Sequence, residues 1–498
     1  MTKKTFTVWL IIAIIAQLVL SAPVSAVLVS TVAQMVDGMF GGEMDDDYVE
    51  VWNGEMKDSF SGGSGSSDDP YLITDPRELA FLGFVVDDYN EDYNSENIHY
   101  LLCNDLDLNG IPWTPIGFDV GFRANFNGGN HVISGLYIDT GSIDSPYFGL
   151  FGENRGRIEY LNLRDVTVES RLSYARIGAL CGLSSGNIFD CHAEDVSITF
   201  SGVPTSNSSL SAYGGLIGAT SYQDSYLGTV ERCSTSDSEL MVNVGNVGGL
   251  IGYCETAVID CYAENVDINT HNAFTVGGLV GELYETTREV DAYTETAIIE
   301  RCYAEIIINS SATYVGGLIG RISDARVVDS YARGRSNANG SAGFGGFVGC
   351  IIGGKIRNCY CAFDSEASGV ARTGGFVGTH TTSCYGNGSL DITYCVTYTM
   401  PKILDVEFED GVGLFGCSPS LYVESYGRNV HDIYYLDENS KFIDGLECFK
   451  HMSTGESASR NSLESGSFYE RMYWNDSVWK YYDVNIAEYS YPTLKCFE

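Results

Sequence analysis

Between residues 149 and 424 the apolar residues fall in short runs, separated by glycine or by Asn and Asp. No part of this region keeps a helical apolar period over four turns, so short strands are predicted instead. Three runs recur in a fixed order. The first is Gly-Gly-(Leu/Phe)-(Ile/Val)-Gly, at Gly214–Gly218, Gly248–Gly252, Gly277–Gly281, Gly316–Gly320, Gly345–Gly349 and Gly374–Gly378. Degenerate copies end at Gly152, Gly182 and Gly416. Successive terminal glycines lie 30, 36, 34, 29, 39, 29, 29 and 38 residues apart. The minimum, 29, occurs three times, and the other intervals are that unit plus insertions.

The second run is an aliphatic residue, two variable positions and then usually Cys-Tyr-Ala. Its cysteines are Cys191, Cys233, Cys261, Cys302, Cys359 and Cys395, with Leu161 and Ser330 in the same slot of two copies. The third run is Val-x-Ile-like, as at Val166–Val168, Val196–Ile198, Val266–Ile268 and Ile306–Ile308. Insertions at 220–230, 282–298 and 379–391 share one connection, and another at 200–212 lies in a different one. A propeller blade needs roughly 40–45 residues and four strands, so three strands in 29 fit one coil of a solenoid better. The predicted fold is all-β, a parallel β-helix (β-solenoid), in which stacking buries an apolar face that no coil can bury alone.

Within that fold the glycines are expected at corners, supplying positive φ and close backbone approach. The cysteine slot is expected to point inward as a column of small, reduced, buried thiols. In-register Cβ atoms near ~4.8 Å are wide for a disulfide, and no Cys-x-x-Cys pair suggests zinc. The residue before each slot runs Asp190, Arg232, Asp260, Arg301, Asp329, Asn358, so each acid is expected between bases as a charge ladder.

The ends differ from the array. Asp75-Pro76-Arg77-Glu78 is a capping box with proline at the first helical position. Leu79, Leu82, Val85 and Val86 then share one face of a short capping helix. Strands are predicted at Tyr100–Leu108 and Phe126–Ile138. The division is a signal peptide at 1–26, an acidic flexible leader at 27–69, an N-terminal cap and first coils at 70–148, the repeats at 149–424, and a terminal coil and cap at 425–498. In the last segment Cys448 and Cys496 are candidates for a bridge.

These residues carry a resemblance. The array is similar to the GLUG-motif proteins of bacterial and archaeal cell surfaces. Asp68–Ile73, Leu106–Gly117, Phe126–Leu136 and Trp474–Leu494 resemble that family's entry, pre-repeat coils and closing segment. The resemblance extends over about residues 60–498. It implies a β-solenoid used as a stalk or adhesive surface.

Charge and the N-terminus narrow the function. Lys3 and Lys4, an apolar Val8–Leu20 and the small residues at Ala22–Ala26 read as a secretory signal, with a retained anchor as the alternative. The chain has 28 bases and 66 acids, a net charge of −38, which becomes −40 on cleavage after Ala26. Such an anion is repelled by phosphate backbones and anionic lipid, which argues against nucleic acid and membrane adsorption. A hydrophobic content of 44% excludes wholesale disorder. There is no His-Glu-x-x-His and no P-loop. His131 and the EF-hand-like Asp105–Gly110 are read as structural. Sequons stand at Asn207, Asn309, Asn339, Asn387 and Asn475.

The expectation is a secreted or cell-surface, non-catalytic, adhesin-like scaffold binding an extracellular glycan or protein. It needs no cofactor, although carboxylates could hold calcium diffusely. Tyr222, Tyr226, Tyr284, Tyr293 and Tyr385, in or beside the three co-located insertions, are the candidate ligand residues because their rings can stack on sugars. The alternative is a carbohydrate-active β-helix enzyme, a polysaccharide lyase or glycosidase.

Overall fold

The computed structural model describes residues 49–221, 228–285, 297–370, 372–381 and 390–397, with short stretches at 402–403, 413–415, 428–436, 456–458, 475, 477–480 and 493–497. The signal segment, residues 27–48 of the leader, Gly416, Cys448 and Asn387 lie outside the described residues, whereas the rest of the leader is packed rather than flexible, with Glu50–Val51 paired to Leu106–Asp107 and Trp52 buried. The chain divides into Met1–Val49 and Glu50–Glu498, and the described strands belong to the second unit.

The strands form two large sheets, of 22 and 16 strands, whose members pair in parallel with the equivalent strand of the next coil. This is the β-solenoid expected from the repeat. One coil runs through a long strand such as Asn187–Phe200, a short strand such as Ala212–Gly214, a tight corner and a second short strand such as Ile217–Thr220. Pairing in register stacks like residues. Phe126, Ile158, Ile188, Val230, Val258, Ile299, Val327, Ile356 and Ile392 form one continuous buried column.

The repeat glycines act by close approach. A Cβ on Gly214, Gly248, Gly277, Gly316 or Gly345, the first glycine of its motif, would lie 1.9–2.1 Å from a carbonyl oxygen two residues beyond the second, as at Gly214 on Ile217 and Gly277 on Val280. A Cβ on Gly281 would lie 2.5 Å from the carbonyl oxygen of Gly252. The two short strands therefore pack backbone on backbone, with no room for a side chain. The described Gly-Gly-x-x-Gly glycines do not have positive φ. The left-handed corner falls elsewhere, on the residue before each cysteine slot: Asp190, Arg232, Asp260, Arg301, Asp329 and Asn358 have φ of 48–55°.

That corner explains the slot. All six cysteines are fully buried and free. Turning the chain at the preceding residue takes the slot N–H out of the regular ladder. The N–H of Cys233 donates to Cys261 Sγ at 3.3 Å, that of Cys261 to Cys302 Sγ at 3.4 Å, and that of Cys302 to Ser330 Oγ at 3.1 Å. Each thiol or hydroxyl in turn donates to the carbonyl two residues earlier, as Cys261 to Ile259 (3.1 Å) and Ser330 to Val328 (2.8 Å). Small size alone was the expected requirement. The structure adds a hydrogen-bonding one.

The charge ladder forms in pairs rather than continuously. Each bond joins a residue to the acid of the preceding coil: Arg232–Asp190 at 2.8 Å, Arg301–Asp260 at 2.6 Å and Asn358–Asp329 at 3.1 Å. Arg232 also lies 3.8 Å over the Phe189 ring.

At the N-terminal end the helix spans Pro76–Asp87, with Asp75 accepting from the N–H groups of Arg77 and Glu78. Leu79, Leu82, Val85 and Val86 are buried on one face. The strand predicted at Tyr100–Leu108 divides into His99–Leu102 and Leu106–Asp107. That at Phe126–Ile138 divides into Asn125–Asn127 and Val132–Asp139, because Gly129 and Asn130 turn through left-handed φ of 59° and 63°.

Candidate ligand-binding face

Of the five candidate tyrosines, Tyr284 ends the strand Val280–Tyr284 and is 39% exposed. Tyr222, Tyr226, Tyr293 and Tyr385 lie outside the described residues. The three insertions do leave and rejoin at one corner. Ala219, Tyr253 and Glu282 are register partners before it, as are Thr229 and Ala257, and Ile298 and Arg326, after it.

The described residues hold a second candidate, built by the long-strand sheet. Cys-Tyr-Ala alternates in, out, in. Its Ala side chains oppose the second glycine of the corner, with Ala263 Cβ 2.9 Å from a Cβ placed on Gly249. Its tyrosines face outward and stack. Tyr262, Tyr303, Tyr331 and Tyr360 are register partners with ring centroids 5.0 Å apart and planes within 6° of parallel. Two residues on stands a column of Glu264, Glu305 and Arg333. Tyr303 donates to Glu264 (2.8 Å), Tyr331 donates to Glu305 (3.0 Å), and Arg333 pairs with Glu305.

The closing segment covers part of this ladder. Trp479 is buried, 6.3 Å from the Tyr331 ring and 6.0 Å from Tyr360, and its Nε1 donates to Asp329 at 3.2 Å. Burial holds the Asp329 carboxyl above its ordinary range, against the opposing bonds from Trp479 and Asn358. Phe497 packs edge-on to Tyr262 and Tyr303 at 5.3 and 4.9 Å.

Beside the ladder the sheet bends again. Asp165, Asp195, Asp237 and Asn265, each four residues past the slot, have φ of 49–56°. The bend leaves an open groove of about 1050 Å³ running across several coils. Exposed Asp195, Asp237, Glu239, Asp267 and Asp364 line it, with Arg335 and Ile307 between them. In the coil of Cys302 the bend residue is missing, and the pairing shifts by one between Glu264 and Val266. The groove was not anticipated from sequence. Its signal was there, as an Asp or Asn four residues past four successive slots. Among the described residues no cluster of His, Cys, Asp or Glu is arranged to hold a metal ion, and no helix is long and apolar enough to cross a membrane.

No protein-family model matches the chain. Over 147 residues it is 34% identical to a protein of Evansella cellulosilytica provisionally named a Gly-rich membrane protein. The match covers 27% of this chain, which spans only 16% of that relative's length. A solved structure from Bacteroides ovatus, provisionally described as an immunoglobulin A1 protease, aligns over 88% of this chain and 96% of its own, at a TM-score of 0.41 and 17% identity.

Proposed function

We propose that this chain is a non-catalytic, surface-associated scaffold of the GLUG-motif kind, holding an extended glycan along the long-strand groove. The observation that carries the reading is the groove itself. Stacking repeats similar polar groups from coil to coil, which suits a ligand that also repeats. Carboxylates accept hydrogen bonds from hydroxyls and amides. An acid-lined groove repels polyuronates, so a neutral or amino-sugar polymer is the expected class. The secretory pattern at residues 1–26 and the name given to the Evansella relative support a surface location.

The test is a glycan array probed with the mature protein, with and without calcium, followed by titration of each hit. Replacing Asp237, Asp267 and Arg335 together by Ala should weaken binding by at least about tenfold, a loss of ~1.4 kcal/mol. Deleting the three insertions separates the tyrosine-bearing loops from the groove. Release of new reducing ends or unsaturated sugars from any hit would replace this reading with the enzyme one. Unchanged binding by the triple variant would remove the groove from the mechanism.

A further inference from the structure

We infer that the junction of the capping helix and the first coil is a binding pocket for a small organic cation, an ammonium group carried on an apolar body. The site is separate from the groove. A cavity of about 400 Å³ lies between the helix and residues 112–118. That is within the size range of small-molecule sites, roughly 300–1,000 Å³. Trp52, Phe84, Trp113 and Phe118 line it together with Pro112 and Pro115.

The two indoles are fixed before any ligand arrives. Trp52 Nε1 donates to the Glu55 carbonyl at 2.8 Å and Trp113 Nε1 to the Leu150 carbonyl at 3.1 Å. Their rings meet edge to face at 5.3 Å. With both N–H groups used within the fold, what they offer the cavity is aromatic surface. Phe84 is 54% exposed at the mouth, on a helix whose other apolar side chains are mostly buried. A large exposed aromatic beside a cavity is the type of surface that ligands cover.

The polar groups of the lining, Thr114 aside, have one sign. They are Asp87 and Asp88, and no Lys or Arg contributes. Both acids stand at the C-terminal end of the helix, where the backbone dipole is itself negative and a base is the usual neutraliser. No basic residue occupies the last turn. Asp87 Oδ atoms accept from the N–H groups of Gly117 (3.1 Å) and Asp119 (3.2 Å), which holds the Phe118 wall in place. Asp88 is exposed at the rim. Aromatic walls with a carboxylate rim and a negative helix end attract an organic cation by cation–π and Coulomb terms together. A neutral apolar ligand would use only the walls, and an anion would be repelled.

The probe is 3-phenylpropylammonium, with the neutral 3-phenylpropanol as its counterpart, titrated calorimetrically into the full chain. The ammonium should bind at one site, about tenfold or more tighter than the alcohol. Asp88→Asn should weaken the ammonium about five- to tenfold and leave the alcohol unchanged. Phe84→Ala should weaken both. Both side chains are exposed, and an unchanged melting temperature checks that each variant is folded. Equal affinity for the two probes, an Asp88→Asn variant that binds as the parent does, or no binding of either probe would each overturn the inference. Capture of a lysine-bearing peptide without the free ammonium would also overturn it, by assigning the pocket to a protein partner. None of these outcomes touches glycan binding at the groove.

Discussion

The cysteine slot asks for a small side chain that both accepts and donates a hydrogen bond. Ser330 already fills it in one coil, bonded just as its cysteine neighbours are. Cys261→Ser should therefore be tolerated better than Cys261→Ala, which orphans the Cys233 N–H at about 1–3 kcal/mol. Urea denaturation of the two variants decides it, and an alanine variant as stable as the serine one would refute the bonding role. Burial also pushes the Cys191, Cys261 and Cys359 thiols up, and all six slot side chains are shielded from solvent. The slot cysteines should resist alkylation in the native chain and react once it is unfolded. The glycine requirement is steric. Gly281→Ala places a methyl 2.5 Å from the Gly252 carbonyl oxygen and should cost about 1–3 kcal/mol or more.

Individual elements are tied by charge of unequal value. The Arg301–Asp260 pair joins adjacent coils and is only partly exposed. A double-mutant cycle should return a coupling near ~1 kcal/mol that shrinks in salt. The capping helix depends on pH more directly. Burial pushes Glu78 up, but bonds from Ser61, the Thr74 N–H and Lys57 outweigh it and hold the carboxyl below its ordinary range. Asp75 is lowered for similar reasons by Arg77 and Lys57. A lowered folded value gives stability that is complete above the ordinary carboxylate pKa and lost as pH falls through the folded one. Helix amides should therefore lose exchange protection on acidification below roughly pH 4, and Glu78→Gln should flatten that dependence. Glu282, raised by burial despite Arg321, acts in the opposite sense, weakening the fold as pH rises through its folded value.

At the scale of the molecule, stability is close to a sum over coils and their interfaces. Deleting residues 321–349 removes one 29-residue period and joins equivalent positions. The product should fold cooperatively and be shorter by about one strand spacing, ~4.8 Å, in solution scattering. Deleting half a period places core residues outside and should abolish folding. The acidic leader and closing segment need not follow this rule, because neither repeats.

The sequence by itself determined the coil. The 29-residue period, the buried cysteine column and the helix begun by Asp75 were all legible, because each rests on local spacing or a local cap. It also marked the corner at which Tyr284 and the three insertions emerge. Only the tertiary structure decided that the chain turns left-handed just before each cysteine slot. Asp190, Arg232, Asp260 and Arg301 carry no glycine signal, and their φ is imposed by stacking against the coils on either side. The same applies to the work of the glycines, which is contact between strands distant in sequence rather than freedom at a turn. The tyrosine ladder, the groove and the helix-junction pocket depend on residues brought together from different coils. Such contacts arise from register, and register is a property of the stacked molecule.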